Sequence, residues 1–366
     1  MKIGMITDHL RSGGKERRMV ELVKALSSQG QYEFIIMMTE GADENDCDYK
    51  TVFETNARFY YLGGVSKLAK PKKLLDIVNN EEIDIIHYWA PSIHAYMVLP
   101  IWFQHKVPIL NSSITSARRQ GGGKFWLVRM SYSLFDCILS NSQQALKVNK
   151  VPKSKAVCIY NGFDPKRAII KRQPEEVRLQ MGINSKFIVS MAGEYSYRKD
   201  WPMFVKAANQ IVLQGIDVTF IAMGGGDSSQ YEQIIDCDER CKKRIRFVGR
   251  ETDVESVFNA SDIVVQASCI EGVSNSILEG MAVGKPIVST KGPYVGTAEI
   301  VSDGVNGFLV DYHDYVAFAE KISLLLNDED LRIRMGHFSN SIVKEKFGID
   351  QMTNAFAQLY HKYCKR

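Results

Sequence analysis

Short apolar runs rich in β-branched residues alternate with longer amphipathic ones along most of the chain, and this alternation constrains the fold more than any other feature. It is the pattern of parallel strands joined by crossover helices. The first half reads as strands KIGMIT, FIIMMT, FYYLG, IDIIHYW, PILNSS and CILSN, with a helix from about Glu16 to Ser28 and helices between most of the others. KAVCIYNGFD reads as a last strand running into a turn. After IIKRQPEEVRLQMG the pattern restarts with FIVSMAG, VTFIAMG, IRFVG, IVVQAS, PIVST and GFLV. Two successive blocks with a restart near residue 170 predict two Rossmann-like, doubly wound α/β domains facing each other across a cleft. The 366 residues agree, since one core seldom grows so large. Ligands of such sheets bind outside the carboxyl ends of the strands, so the loops that follow each strand are where chemistry is expected.

Composition narrows the function classes. A formal charge of +4 is low for a nucleic-acid binder, and none is expected as a partner. The seven cysteines are scattered and odd in number, and no signal peptide is evident, which predicts a reduced, cytoplasmic chain. Cys237 and Cys241 have no second Cys or His pair beside them, so no metal site is expected. MVLPIWF is too short to span a bilayer. Charge is uneven: between Lys67 and Lys155 there are 13 basic residues against 5 acidic ones. That surplus suits peripheral contact with an anionic membrane, at its inner face, or with an acidic acceptor, or is simply a solvated basic surface.

Several loops carry candidate chemistry. In TDHLRSGGKERRMVEL, Gly13 and Gly14 let the backbone approach a ligand, and Lys15, Arg17 and Arg18 add charge at a helix start, where the dipole favours an anion. This is neither GxGxxG nor a P-loop. A plain glycine turn before a solvated basic helix fits the segment equally. In MAGEYSYRKDW, Arg198 and Lys199 are placed to neutralise a diphosphate, or form a surface charge pair. IAMGGGDSSQYEQ puts Gly225 in a run of three glycines that can turn backbone N–H groups toward a ligand or serve as a flexible connection.

The strand IVVQAS ends just before CIEGVSNSILEGMAVGKPIVST. Glu271 therefore lies at a strand's carboxyl end, where it can offer an acceptor to sugar hydroxyls or to developing positive charge. Gly272, Val273, Ser274 and Asn275 lead into a helix whose N–H groups can hold a phosphate. Glu279 has two readings, ligand contact or the acid of a Ser276-x-x-Glu279 capping box.

Together these segments resemble the retaining, nucleotide-sugar-dependent glycosyltransferases of family 4, which have the GT-B fold. Glu271 and Glu279 are similar to that family's E-x7-E pair. TDHLRSGGKERR resembles its first glycine-rich loop, CILSNSQQ its vSe strand end, CIYNGFD its iNGvD turn, MAGEYSYRKDW its phosphate loop and FIAMGGG its iaGdGp turn. The resemblance implies that Glu271 contacts the transferred sugar and stabilises an oxocarbenium-like transition state. It implies that Glu279 binds the ribose, that Val273, Ser274 and Asn275 hold sugar and diphosphate, and that Lys199, helped by Gly13 and Gly14, neutralises the leaving group. Arg198, Gly225 and Gly272 complete the implied donor site. The co-substrate would be a UDP-sugar or GDP-sugar, with no metal or other cofactor, and the acceptor a glycan or polyprenol-linked sugar of a cell-surface polysaccharide. In this family the last helix crosses back, giving residues 1–167 with 348–366 as the acceptor domain and 168–347 as the donor domain.

The chain departs from the family at two places. Gly193 is followed by Glu194 where the family often has Arg, and Arg198 is the candidate replacement. VPILNSSITSARRQ lacks the His that many members carry there, and its SSITSARR resembles the small-residue and Arg segment of some subgroups, with Arg118 and Arg119 as candidate acceptor contacts. His87 and His94, after a strand of the first block, are candidates to face the acceptor or the sugar. A histidine so placed is more often a hydrogen-bonded structural residue. Two alternatives to an active transferase stand beside it: a non-catalytic partner subunit that binds nucleotide sugar or glycan, and a GT-B-like sugar-nucleotide 2-epimerase. The intact pair of glutamates favours the transferase over both.

Overall fold

The computed structural model describes residues 1–11, 13–104, 107–117 and 122–364. The chain divides into two compact units, Met1–Gly162 with Ile349–Arg366, and Phe163–Gly348.

The first unit is built on seven strands: β1 (Lys2–Thr7), β2 (Glu33–Met38), β3 (Arg58–Tyr61), β4 (Ile85–Tyr88), β5 (Ile109–Ile114), β6 (Cys137–Ser140) and β7 (Ala156–Cys158). All pairings are parallel and the order is β3-β2-β1-β4-β5-β6-β7. Helices cover both faces of such a sheet, so its central strands are apolar on both sides rather than alternating. β1, β2 and β4 are buried almost throughout. The closing helix Ile349–Cys364 belongs to this unit, where it packs on helix Gly14–Ser27 and buries Phe356 and Tyr360.

The second unit repeats the plan with six strands: β8 (Phe187–Ala192), β9 (Val218–Met223), β10 (Ile245–Gly249), β11 (Ile263–Gln266), β12 (Ile287–Lys291) and β13 (Gly307–Asp311). Its order is β10-β9-β8-β11-β12-β13, again all parallel. Trp201, Phe204, Phe220 and Phe318 form the aromatic centre of its core. Among the described residues, thirteen strands therefore stand where the apolar runs of the sequence lie, with ends moved by at most a few residues.

In both sheets the order reverses beside the first strand of the block. The crevice at such a switch point lies between the loop after that strand and the loop after the fourth. For the second unit these are the loops that follow β8 and β11.

Candidate active site

The loop after β8 runs from Gly193 to Asp200, and the next loop of the sheet, after β9, is Gly224–Gly226. Gly193 N–H donates to the Met223 carbonyl at 2.9 Å and Tyr195 N–H to that of Gly225 at 2.8 Å. The two turns touch so closely that a Cβ on Gly224 would lie 2.1 Å from the Gly193 carbonyl oxygen. Gly225 has open space where a side chain would be, and its contribution to the turn is the carbonyl held by Tyr195. A Cβ on Gly193 would press on the Lys199 side chain at 3.1 Å, so the glycine gives the lysine its path across the loop.

From the other side of the switch point, β11 ends in a fully buried Gln266, whose side chain organises the following loop. Its Nε2 donates to Ser268 Oγ at 2.9 Å, and its Oε1 accepts from Ser276 Oγ at 2.6 Å and from Ser274 Oγ at 3.4 Å. Cys269 N–H donates to the Arg198 carbonyl at 2.9 Å, which joins the loops after β8 and β11 directly. The Glu271 backbone is clamped by the loop after β12: its N–H donates to Tyr294 O at 3.0 Å and its carbonyl accepts from Gly296 N–H at 3.1 Å. With both backbones fixed, Lys199 Nζ and the Glu271 carboxylate form an ion pair across the switch point, each largely buried. These two catalytic candidates are thus brought together.

Gly272, Val273 and Ser274 are buried and lead to helix Asn275–Ala282. Ser274 is its N-cap residue, and its hydroxyl does not cap the helix but turns to Gln266 and Ser276. Ser276 lies inside the helix, so the capping box with Glu279 is not formed. Glu279 is instead bound by Arg167, whose Nη2 is 2.6 Å from Glu279 Oε1 and 2.7 Å from Glu255 Oε1. Burial, then the neighbouring charge of Glu279, pushes the Glu255 carboxyl up.

Arg198 does not stand as a free cation. Its Nη2 pairs with Glu194 Oε2 at 2.6 Å, on the exposed side of the loop. The acid found where the family often has Arg is therefore matched by the arginine suggested as its replacement, and the two close on each other.

In the first unit, Gly13 is the extended N-cap of helix Gly14–Ser27 and exchanges hydrogen bonds with the Tyr49 hydroxyl. A Cβ there would meet Glu16 Oε2 at 2.2 Å, so the glycine makes room for that carboxylate. Gly14 is exposed. Lys15 and Arg18 beside them are not displayed as the sequence suggests. Lys15 Nζ is 2.8 Å from Asp8 Oδ1 and 3.1 Å from Glu16 Oε1, within a cluster with His9 that would otherwise present three metal-ligating groups; the ammonium supplies the positive charge there. Arg18 points inward, over the Trp89 and Phe356 rings at 5.7 and 5.1 Å, and burial pushes its pKa down to about 10. It donates to the Ile159 carbonyl.

The acceptor reading of His87 is corrected. The residue is fully buried, with Nδ1 2.7 Å from Tyr360 Oη and Nε2 2.7 Å from Ser112 Oγ, so both ring nitrogens serve the core. Burial, then the Arg18 charge, holds its pKa well below the ordinary histidine value. His94 is half-buried beside Tyr96. Arg118 and Arg119 lie outside the described residues. Three residues that organise the site were missed by the sequence reading, Gln266, Arg167 and Glu255. A polar residue closing an otherwise apolar strand was the available signal for Gln266; the other two had none beyond Arg167 following the NGFD turn.

Both sheets are parallel with one strand order, and the second carries a lysine and a glutamate paired over its switch point. Residues 12–167 match the family model Glycosyltransferase Family 4, and residues 186–328 match Glycosyl transferases group 1. The chain belongs to the family 4 glycosyltransferases and has their GT-B fold. It is 25% identical over 352 residues, 95% of this chain and 96% of the other, to the lipopolysaccharide core biosynthesis glycosyltransferase LpsE of Rhizobium meliloti. It is 23% identical over 341 residues, 91% of this chain and 90% of the other, to a Campylobacter jejuni alpha-1,4-N-acetyl-D-galactosaminyltransferase named for a PP-undecaprenol-linked glycan. The structure of Anabaena HepE in complex with UDP-glucose superposes with a TM-score of 0.82 at 20% identity, over 99% of this chain and 100% of that one. Among the described residues no helix is long and apolar enough to cross a membrane.

Proposed function

We propose that the protein transfers a hexose-type sugar, with retention of anomeric configuration, from a UDP-sugar or GDP-sugar to a glycan or polyprenol-linked acceptor in the synthesis of a cell-surface polysaccharide, capsule or lipopolysaccharide. The observation that carries this reading is the Lys199–Glu271 pair spanning the switch point of the second unit. In the reaction the bond between the anomeric carbon and the diphosphate oxygen breaks, and the diphosphate leaves with the electron pair. The acceptor hydroxyl attacks the same face, and its proton passes to the departing phosphate oxygen. Lys199 meets the charge growing on the diphosphate, and the N-terminus of helix Asn275–Ala282 adds partial positive charge. Glu271 faces the sugar, where its carboxylate accepts hydroxyl hydrogen bonds and stabilises oxocarbenium character. The donor itself separates the two: the arriving diphosphate competes for Lys199 and the sugar for Glu271. No metal is required by this scheme, and turnover in excess chelator is the expectation.

The relatives named for lipopolysaccharide and undecaprenol-linked glycans support an acceptor at a membrane. So does one surface of the first unit. Helix Gly122–Ser131 buries Phe125 and Val128 and turns Trp126, Leu127 and Met130 to solvent, 64%, 58% and 69% exposed. A surface helix is ordinarily polar on that face. Arg129 lies 5.6 Å from the Phe125 and Trp126 ring centroids, and Lys124 is exposed beside them. The helix packs on the turn Ser92–Val98, which also contacts helix Lys70–Asn80, with exposed Lys72 and Lys73. Apolar side chains amid lysines suit the headgroup region of an anionic bilayer, at the cytoplasmic face.

The test is a panel of UDP-, GDP- and ADP-sugars, read as slow donor hydrolysis and as thermal stabilisation. One donor is expected to respond in both, with Glu271→Ala ending turnover and leaving nucleotide binding largely intact. Silence from every donor overturns the reading. Binding without turnover would instead favour a non-catalytic partner subunit, for which the closure of Arg198 on Glu194 is the specific argument.

A further inference from the structure

We infer that Arg167 is a positioning residue that fixes the Glu279 carboxylate for the nucleotide's ribose hydroxyls. The inference rests on the transferase reading and on the ribose contact that the family resemblance implies for Glu279, and it adds Arg167 to that contact. Glu279 is the most enclosed acid of the site, its side chain 5% exposed. A carboxylate that deep needs a partner, and leaving one unpaired is strongly unfavourable. With no capping box at the start of helix Asn275–Ala282, its observed cation is Arg167.

Arg167 is itself held from several sides. Its guanidinium carbon lies 5.2 Å from the Phe163 ring centroid, and the Phe163 N–H donates to the Phe347 carbonyl at 2.7 Å. The Arg167 N–H donates to Asp164 O at 2.9 Å, and the Asp164 side chain accepts from Lys166 N–H at 2.9 Å, closing the short turn Pro165–Ala168. Further on, the N–H groups of Lys171 and Arg172 both reach Ser256 Oγ at 3.1 Å, and Arg172 pairs with Asp253 at 2.8 Å and Glu251 at 3.2 Å. The segment after NGFD is thus stitched to the start of helix Val254–Ala260, and Arg167 cannot easily follow Glu279 if the glutamate rotates.

A plain structural ion pair would need one acid. Here one guanidinium nitrogen serves two, Glu255 and Glu279, so the ionised trio carries a net negative charge. Such a trio repels phosphate and favours a neutral group that donates hydrogen bonds. A vicinal diol fits this chemistry, and the ribose of a nucleoside diphosphate supplies one. Arg167 would set the direction of the Glu279 acceptor, and Glu255, by sharing the cation, would keep that acceptor strong.

Calorimetry with UDP (GDP if the donor panel selects it) and the corresponding 2′-deoxynucleotide tests this on the full chain. The wild-type protein should bind the ribonucleotide about tenfold more tightly than the deoxy form. Arg167→Met should weaken ribonucleotide binding by about tenfold and bring the ratio of the two affinities close to one, while raising the donor KM more than it lowers kcat. Arg167→Lys, which keeps the charge without the planar fork, should recover part of the ratio and covers the case in which Arg167→Met does not fold. A merely structural arginine would weaken both ligands equally, so an unchanged ratio in a folded variant overturns the inference and leaves the transferase reading intact. A wild type that binds nucleotide without discriminating the hydroxyl overturns the Glu279 role and the inference with it. A wild type that binds neither nucleotide overturns the proposed function itself.

Discussion

The two units share one strand order, yet their switch points hold charge in different ways. In the first, Asp8, Lys15 and Glu16 come from a single junction, the end of β1 and the helix it feeds, and satisfy each other locally. In the second, Lys199 comes from the loop after β8 and Glu271 from the loop after β11, so the pair exists only because the sheet sets those loops side by side. A cluster closed within one loop stabilises that loop. A pair that spans two loops can be opened by a ligand entering between them. Topology supplies the place in both units, and the second puts separable opposite charges there.

Removing one charge from each switch point should separate the two units most clearly. Glu271→Ala should lower turnover by on the order of 10²–10³-fold or more, with the melting temperature little changed. Asp8→Asn should act on stability through its own loop. If Glu271→Ala lowers stability as much as Asp8→Asn and spares turnover, the spanning pair is structural and the distinction fails.

The next effect concerns close approach of backbone. A methyl group on Gly224 would meet the Gly193 carbonyl oxygen at 2.1 Å, whereas one on Gly4 in β1 would meet the mobile ends of Ile86, Ile83 and Met37 at 2.7 to 3.0 Å. Side-chain ends can shift, while a carbonyl fixed in a turn moves only with its loop. Gly224→Ala should therefore cost about 1–3 kcal/mol or more and raise the donor KM, and Gly4→Ala should cost less. Denaturant melts of the two variants check the order, and the reverse order would mean that the two glycine turns are looser than their hydrogen bonds imply.

These contrasts also mark what the sequence could reveal. The central strands β1, β2, β4, β8, β9 and β11 were legible because a doubly covered parallel strand is a largely apolar run, and the loop after each run was the right place to look. Glu271 and Lys199 were found because both lie in the loops that follow such runs. The partners of Glu279 were not, since Arg167 and Glu255 are separated from it by 112 and 24 positions and only tertiary packing joins them. The Ser276-x-x-Glu279 spacing pointed to a cap because spacing alone does not reveal that the helix begins two residues too early for it. His87 shows the same limit in reverse. A strand-end histidine reads as a contact residue until Tyr360, from the far end of the chain, is seen to take its Nδ1.

A smaller effect separates the outer surfaces. Trp126→Ser should reduce co-sedimentation with vesicles of phosphatidylglycerol by roughly tenfold and leave hydrolysis of free donor unchanged. Vesicles of phosphatidylcholine alone should bind less in both proteins, since the lysines around the helix then lack anionic lipid to meet. Equal binding of wild type and variant would remove this helix from the membrane contact. Self-association that depends on Trp126, detected by light scattering, would assign the face to a second copy instead.

The smallest effect is a difference in how the two units respond to acid, and its sign follows from the charges already described. At Asp8, burial opposes ionisation, but the charge and hydrogen bond of Lys15, with His9, outweigh it and hold the carboxyl below its ordinary 3.8. Its stabilising contribution is then fully present above the unfolded value and is lost as pH falls through the folded one, below about 4. Glu255 behaves oppositely. Burial and the charge of Glu279 raise it above 4.5, so the folded state binds that proton more tightly than the unfolded chain does, and stability declines as pH rises through the window just above that value. Asp8→Asn should flatten the acid limb of the stability curve, and Glu255→Gln should raise stability at neutral pH relative to pH 4. Urea melts at pH 3.5, 4.5 and 7 on each variant read both slopes. Two variants with slopes of the same sign would show that Arg167 meets the charge of both its acids in full, and the trio of the second unit would then be as closed as the cluster of the first.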